Sequence, residues 1–452
     1  MSTLLVVCHI LFIFTLGFLL LFTIRHHWLG LFRLRLRQFR DSMELCGFVT
    51  PSISVLVPMH NEERVAADVL QALVECDYDW ARLEILAIDD RSEDSTGKII
   101  DKFAAKYPII KAVHRQNGNG GKPGVLEYAT PRATGEMLVL FDADYIPGRA
   151  MLKMLVAPLC DPEIGAVMGR VVPHNAGAGV LPCLLSLERA AGYQVGQQAR
   201  YNAGVTPQFG GTVGAIRASA LRAVGGWNTA SLTEDTDLTC QLIAAGWQVA
   251  YVNRAECYEE VPKSWPVRRR QLARWVVGHT DCMHRFLPKL VWTNLLPVRR
   301  RIDATYMLSC YMTAPVLVLG WIASLAMLLL EPQKVPLLWV ALVILGCQTF
   351  GNQATFFELG AAALLDGTRE RVLMMPVNLF NFFASTGAIC GALLKFYVRK
   401  LLGRGSGDWQ KTSRSRPNGG GGVKNPPKGS SNSFLVRAPN GLYLRSSEAL
   451  RK

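Results

Sequence analysis

Three acidic motifs and one aromatic-basic motif follow one another along this chain: Asp89-Asp90, Asp142-Ala143-Asp144, Thr233-Glu234-Asp235 and Gln271-Leu272-Ala273-Arg274-Trp275. Paired carboxylates suit a hard divalent cation such as Mg2+, which takes carboxylate oxygens together with phosphate oxygens of a substrate. Asp-x-Asp also occurs at Asp77-Tyr78-Asp79 and Asp235-Thr236-Asp237, but only the middle copy follows an apolar run, Met137 to Phe141. There Asp142 and Asp144 can project toward one ligand from a turn. The competing reading is an Asx-type turn that merely closes the strand. A carboxylate of Asp89-Asp90 can accept hydrogen bonds from a base or ribose, while Asp94 and Ser95 read as the cap of the next helix. Asn61-Glu62 and the loop Gly120-Gly121-Lys122 add polar groups, and Lys122 can offset diphosphate charge.

Thr233 reads as an N-cap with Glu234 and Asp235 in the first helical turn. A carboxylate so placed could take the proton from an attacking hydroxyl. Gln271, Arg274 and Trp275 stand at i, i+3 and i+4, so they share one helix face. The guanidinium suits a departing diphosphate. The indole suits the apolar face of a sugar ring or the headgroup level of a bilayer. His279 and His284 have no partner spacing for a metal and read as interfacial.

These groups need a frame that gathers them. Ile53 to Pro58 reads as a strand closed by Pro58, residues 62–76 as a helix, Leu83 to Ile88 as a strand, and 94–106 as a helix. Met137 to Phe141 and Ala166 to Met168 read as further strands. Strands alternating with helices imply a mostly parallel sheet with right-handed crossovers. Ligands then sit beyond the carboxyl ends of the strands, where both acidic pairs fall.

The 452 residues are half hydrophobic, with net charge +14 and eleven cysteines but no C-x-x-C pair. Zinc sites and a disulfide framework are therefore disfavoured, and a reducing compartment fits. The basic residues lie beside apolar segments and no nucleic-acid motif is present, so the charge reads as loops facing an anionic lipid leaflet. Residues 3–24 are long enough to cross a bilayer core of about 30 Å. Arg25, His26, His27, Arg33 and Arg35 follow at once, placing the N-terminus outside and the rest in the cytoplasm. The expected layout is a transmembrane helix at 1–25, a basic interfacial linker at 26–51, an α/β domain at 52–262, amphipathic interface helices at 263–302, a transmembrane region at 303–400, and a basic, largely disordered tail at 401–452. Apolar segments at 304–330, 336–358 and 376–398 make up the transmembrane region. Four full spans would leave the tail outside, whereas Lys395, Arg399 and Lys400 argue for inside. Gln348, Asn352, Gln353 and Glu358 make 346–365 a candidate re-entrant or interfacial stretch.

Taken together, VPMHNEE, AIDDRSEDST, VLFDADYIPG, FGGTVGAIR, GGWNTASLTEDTDLT and RRRQLARW resemble the family 2 glycosyltransferases. The likeness is to the membrane-embedded processive synthases of cellulose, hyaluronan, poly-N-acetylglucosamine and β-mannan, and it runs from residue 52 to about 286. It implies a GT-A fold, a Rossmann-like and mostly parallel sheet in a cytoplasmic domain inserted between transmembrane helices of the cell (inner) membrane. It implies that Asn61, Glu62, Asp89, Asp90, Lys122, Asp142, Gln271 and Arg274 bind the donor nucleotide, with Asp142 and Asp144 holding Mg2+ or Mn2+. Asp235, beside Glu234, would be the general base, and Phe209, Gly211, Thr212 and Trp275 would contact the acceptor. The reaction implied is inverting transfer from a UDP-sugar, glucose or N-acetylglucosamine foremost, to the non-reducing end of a growing β-glycan. The stretch after Lys122 departs from the usual pattern, reading Pro123-Gly124-Val125-Leu126-Glu127. Trp409 to Arg414 matches a W-x-K-T-x-R element found after the last span in some relatives. Two other readings stay open: single addition to a lipid acceptor, and a catalytically inactive membrane scaffold.

Overall fold

A computed structural model describes residues 3–35, 43–47, 50–118, 121–330 and 356–403, and two short strands at 435–437 and 443–445. Seven strands form the central sheet: β1 Ile53–Met59, β2 Leu83–Asp90, β3 Ile110–Arg115, β4 Met137–Leu140, β5 Ile164–Pro173, β6 Gly214–Arg217 and β7 Gln248–Glu259. Their order is β3-β2-β1-β4-β6-β5-β7. Only β6 runs antiparallel to its neighbours. β1 and β2 read as near-continuous apolar runs because both faces of a parallel sheet are covered, and every residue of β2 is buried.

Two apolar clusters sandwich the sheet. One joins Val55, Val57, Ile85 and Val139 to Val69, Leu70, Leu73 and Ile100 of the helices Ala66–Val74 and Thr96–Lys106. The other joins Leu56, Leu86, Leu138 and Ile216 to Leu126, Leu238 and Leu242. Four of the strands were legible in the sequence, and three were not. β3 (IKAVHR) and β7 (QVAYVNRAECYE) mix polar and apolar residues, and β6 has four residues and no alternation. The expected strand ends also shift. Pro58 stays inside β1, where it pairs with Ile88. Asp89 and Asp90 do not lie past β2 but are its last two residues, opposite His114 and Arg115 of β3.

The apolar elements differ from the expected layout in two ways. The first helix runs Thr3–Arg35, so residues 26–35 continue it instead of forming a separate linker. The interface segment is one 28-residue helix, Trp265–Trp292, followed by Val298–Ser309. Among the described residues, three helices are long and apolar enough to cross a membrane: Thr3–Arg35, Val298–Met327 and Arg369–Leu401. Phe356–Leu365 is a short apolar helix, and its Glu358 is buried against His26 (2.9 Å). The remainder of the 336–358 span, the W-x-K-T-x-R element and most of the tail lie outside the described residues. Within the tail, Leu435–Arg437 and Tyr443–Arg445 pair antiparallel.

Candidate active site

The carboxyl edge of β1, β2 and β4 carries most of the chemistry. β1 lies between the other two, so the ends of β2 and β4 are roughly 10 Å apart at the usual strand spacing. Asp90 is buried and held by Arg91 Nε (3.0 Å) and Arg115 Nη1 (3.1 Å). Asp89 accepts from the Ser92 amide (3.1 Å) and faces His114 Nδ1 (3.2 Å). Asn61 takes a positive φ of 53° after β1, and its side-chain oxygen accepts from the Glu93 amide (2.7 Å). The amide of buried Glu62 donates to Thr96 Oγ1 (2.8 Å). These bonds tie the turn after β1 to the turn after β2. At the next helix, Asp94 accepts from the Thr96 amide (2.9 Å), but the Ser95 hydroxyl makes no capping bond.

A denser cluster lies past β4. Lys122 Nζ meets Asp142 Oδ1 at 2.6 Å and Glu234 Oε1 at 3.4 Å, and donates to the Gly211 carbonyl at 2.9 Å. Burial pulls this ammonium toward neutrality, but Asp142 and Glu234 outweigh it, so the net shift is upward and Lys122 stays charged. Thr212 Oγ1 accepts from the Asp142 amide (3.1 Å). Gly211 has φ +73°, and a Cβ there would lie 3.0 Å from Asp235 Cβ and 3.3 Å from Glu234 Oε1, so only glycine fits. Half-buried Asp144 stands two residues beyond Asp142.

Glu234 and Asp235 open the helix Glu234–Ala244. Thr233 occupies the N-cap position, yet its hydroxyl makes no capping bond and faces Cys282 Sγ at 3.9 Å. Asp235 Oδ1 accepts from the Thr236 amide (2.7 Å). Burial first, then the neighbouring Glu234 charge, lift the Asp235 carboxyl to about 6, against the pull of that amide, Lys122 and Arg274. A carboxylate tuned this way suits proton abstraction near neutral pH.

Arg274 donates to the Leu232 carbonyl (3.2 Å), in the loop that precedes Glu234 and Asp235. Trp275 is less open than the sequence implied. The guanidiniums of Arg189 and Arg268 each lie 5.2 Å from its ring centroid. Arg268 pairs with Glu188 (2.6 Å) and donates to Gln271 (3.0 Å), while Arg189 pairs with Glu259 (2.6 Å). Three expectations are corrected here. Phe209 is fully buried in the core, its ring against Gly214, so it shapes the 209–214 loop from beneath and offers no surface to an acceptor. Arg268, in the segment expected to form amphipathic interface helices, is a buried ion-pair member and not a membrane-surface cation. His279 is buried against Tyr311 (5.3 Å between centroids) and not interfacial.

Sequence reasoning missed Glu127, Asp237, Glu188, Arg189 and Glu259. Glu127 accepts from the Trp227 amide (2.9 Å) and fixes the turn that leads toward Glu234 and Asp235. Asp237, completely buried, binds Asn228 Nδ2 (2.9 Å), Gln241 Nε2 (2.5 Å) and Arg285. Its place in the third Asp-x-Asp was the one available signal. Glu188, Arg189 and Glu259 carried none.

Among the described residues no group of three or more His, Cys, Asp or Glu side chains gathers to hold an ion alone. Asp142 and Asp144 supply two carboxylates. A hard cation there would complete its shell with diphosphate oxygens, which fits a metal that arrives with its substrate.

A Rossmann-like sheet with acidic groups along its carboxyl edge defines a GT-A transferase fold. The chain belongs to the family described as glycosyltransferase like family 2, whose model matches residues 51–278, half of the chain. It is 32% identical over 259 residues to the probable glycosyltransferase YdaM of Bacillus subtilis, covering 57% of this chain and 61% of the relative. It is 30% identical over 256 residues to a beta-monoglucosyldiacylglycerol synthase of Synechocystis, covering 56% and 53%. With glucomannan 4-beta-mannosyltransferase 7 of Arabidopsis thaliana it shares 27% over 260 residues, covering 56% and 47%. The chain thus spans about half to three fifths of the length of these relatives. The mannosyltransferase PcManGT of Pyrobaculum calidifontis, solved with GDP-Man and Mn2+, superposes with a TM-score of 0.56 at 21% identity, covering 88% of this chain and 99% of that one.

Proposed function

We propose that this protein is a membrane-bound inverting hexosyltransferase that moves a sugar from a UDP-sugar to a hydroxyl acceptor, foremost the end of a growing β-glycan. The observation that carries this reading is the bridge from Lys122 to Asp142 and Glu234, beside an Asp235 carboxyl lifted to about 6. Asn61, Glu62, Asp89 and Asp90 hold the nucleotide at the β1 and β2 ends. Lys122, Gln271 and Arg274 meet the diphosphate, Gly211 and Thr212 shape the acceptor side, and Asp235 removes the proton from the attacking hydroxyl. Asp142 and Asp144 would hold Mg2+ or Mn2+, which supplies charge neutralisation at the departing diphosphate; Mn2+ in the GT-A neighbour supports that choice.

Single addition to a lipid acceptor is the second reading. Two guanidiniums against Trp275 leave less ring for sugar stacking than a glycan track needs. Likeness to the monoglucosyldiacylglycerol synthases supports it as well. The deciding experiment uses the full chain in lipid nanodiscs with a panel of UDP- and GDP-sugars, scoring nucleotide release with and without EDTA and product length on gels. Metal-dependent UDP release with a ladder of long products is expected. One sugar per lipid would replace the polymer reading with the second, and no release from any donor would leave the inactive scaffold.

A further inference from the structure

A helix with two windings runs beside the 209–214 loop. Val180–Ala190 is α-helical, Ala191–Gln197 is a π turn, and Gln198–Asn202 returns to α. A π turn bonds i to i+5 and is found mostly as a single turn within an α-helix, frequently at functional sites. This one presents two glutamines to two partners. Gln194 is buried, and its main-chain and side-chain oxygens accept from Arg33 of the first apolar helix (2.9 and 3.0 Å). Its side-chain nitrogen donates to Asp366 (2.7 Å). Gln197 faces the loop instead. Its side chain donates to the Gln208 carbonyl (2.8 Å) and accepts from the Gln208 amide (3.0 Å), the paired exchange that joins two strands of a sheet.

Gln208 carries the contact onward. Its Nε2 donates to Oγ1 of Thr236 (2.9 Å), a residue 2% exposed. A hydroxyl that accepts in this way keeps its own proton to give. Asp235 Oδ1 lies 3.5 Å from that hydroxyl and already accepts from the Thr236 amide (2.7 Å). Thr239 stands three residues on, on the same helix face. Its hydroxyl accepts from the Phe209 amide (3.1 Å) and donates to the Asp235 carbonyl (2.7 Å), a second tie between loop and helix. Both Thr236 donors thus reach one carboxylate oxygen, while Asp235 Oδ2 makes no hydrogen bond among the described residues. We infer that Gln208 and Thr236 are positioning residues for proton transfer: they hold Asp235 by Oδ1 and leave Oδ2 to meet the acceptor hydroxyl. This deepens the transferase reading and rests on it for the acceptor. As the acceptor oxygen bonds the anomeric carbon, its proton passes to Oδ2. The bond from that carbon to the diphosphate oxygen breaks, and its electron pair leaves with the diphosphate. Glu234, Lys122, Arg274, Tyr193, Tyr311 and Cys240 face the same carboxyl.

The test uses the full chain in nanodiscs, and neither main variant changes a charge. Gln208→Leu and Thr236→Val should each lower kcat about tenfold, the scale of one hydrogen bond to a charged group, with donor KM within about twofold of the parent. Thr236→Ser keeps the hydroxyl and should restore the parent rate. In an Asp235→Asn background both losses should vanish, because residues that act through Asp235 are not additive with its removal. A second readout needs no turnover: the 13C signal of the Asp235 carboxyl, followed against pH without metal. Its midpoint should move upward in Thr236→Val, since a lost donor disfavours the charged form, and stay in place in Thr236→Ser. The inference is overturned if both variants keep the parent kcat, if donor KM rises as kcat falls, if the losses persist in Asp235→Asn, or if the carboxyl midpoint does not move in Thr236→Val. No nucleotide release by the parent from any donor, with the carboxyl shift present, would instead count against the transferase reading.

Discussion

If Asp235 is the general base, as proposed, its protonation decides when this site can work. Asp235 is lifted to about 6 by burial and by Glu234, so it must lose its proton before it can accept another. Transfer should fall about tenfold per unit as pH drops below roughly 6 and be flat above, read as kcat against pH. Asp235→Asn should lower transfer by about 10²–10⁴-fold with donor affinity nearly intact. The same shift fixes the sign of its effect on stability. A carboxyl with a raised folded-state pKa contributes stability that is present below its unfolded value of 3.8 and lost as pH rises through about 6. Asp235→Asn should therefore melt higher than the parent at pH 8 and no higher at pH 4, measured by thermal unfolding. Lys122 acts in the opposite sense, since its charge lowers Asp235. Lys122→Ala should move the kinetic inflection upward from 6, and an inflection that stays in place would remove Lys122 from the electrostatics of the base.

At the scale of elements, two helices meet just before Glu234 and Asp235. A Cβ on Gly278 would lie 2.5 Å from Thr233 Oγ1 and 2.6 Å from Thr233 Cγ2. The glycine lets the interface helix press against the residue just before Glu234. Asp237 and Arg285 clamp the same two helices a turn further along. Gly278→Val should pry them apart and cut kcat by about 10²-fold, the effect of a displacement near 1 Å, while KM for the donor changes little. Equal losses in donor binding and kcat would show that this contact supports the whole domain and not the placement of the base. The sequence exposed the helix face bearing Gln271, Arg274 and Trp275 because 3.6-residue periodicity is local. It did not expose the Gly278–Thr233 contact, since nothing local marks which glycine a distant helix approaches.

For the whole molecule, the proposed membrane reading fixes on which side of a bilayer the end of the third long apolar helix would lie. The third long apolar helix is tied down at both ends. Asp366 binds Arg170 of β5 and Arg371 binds Ser186 near its start, and Tyr397 meets His284 (3.1 Å) near its end. Its Ile389, Ala392 and Leu393 pack with Leu272 and Val276 of the interface helix. Residues near 400 therefore lie beside the transferase domain, in line with their basic charge. In sealed vesicles, Gly403→Cys should react with a membrane-impermeant thiol reagent from the same side as Cys160, which is exposed on the domain surface. Labelling from the opposite side would move the tail across the membrane.

The sequence by itself determined the α/β class, four of the seven sheet strands, the three acidic motifs and the aromatic-basic helix face. Each of these is written in spacing along a few residues: apolar runs, short motifs, and i, i+3, i+4 periodicity. Only the tertiary structure decided that Asp89 and Asp90 end a strand instead of following it, that Phe209 lies in the core, and that Arg268 and His279 are buried. It also decided that Lys122 joins Asp142 to Glu234 across more than a hundred residues of chain. Burial and ion pairing depend on what a side chain meets after folding. An arginine beside a distant glutamate reads, in one dimension, the same as an arginine in water.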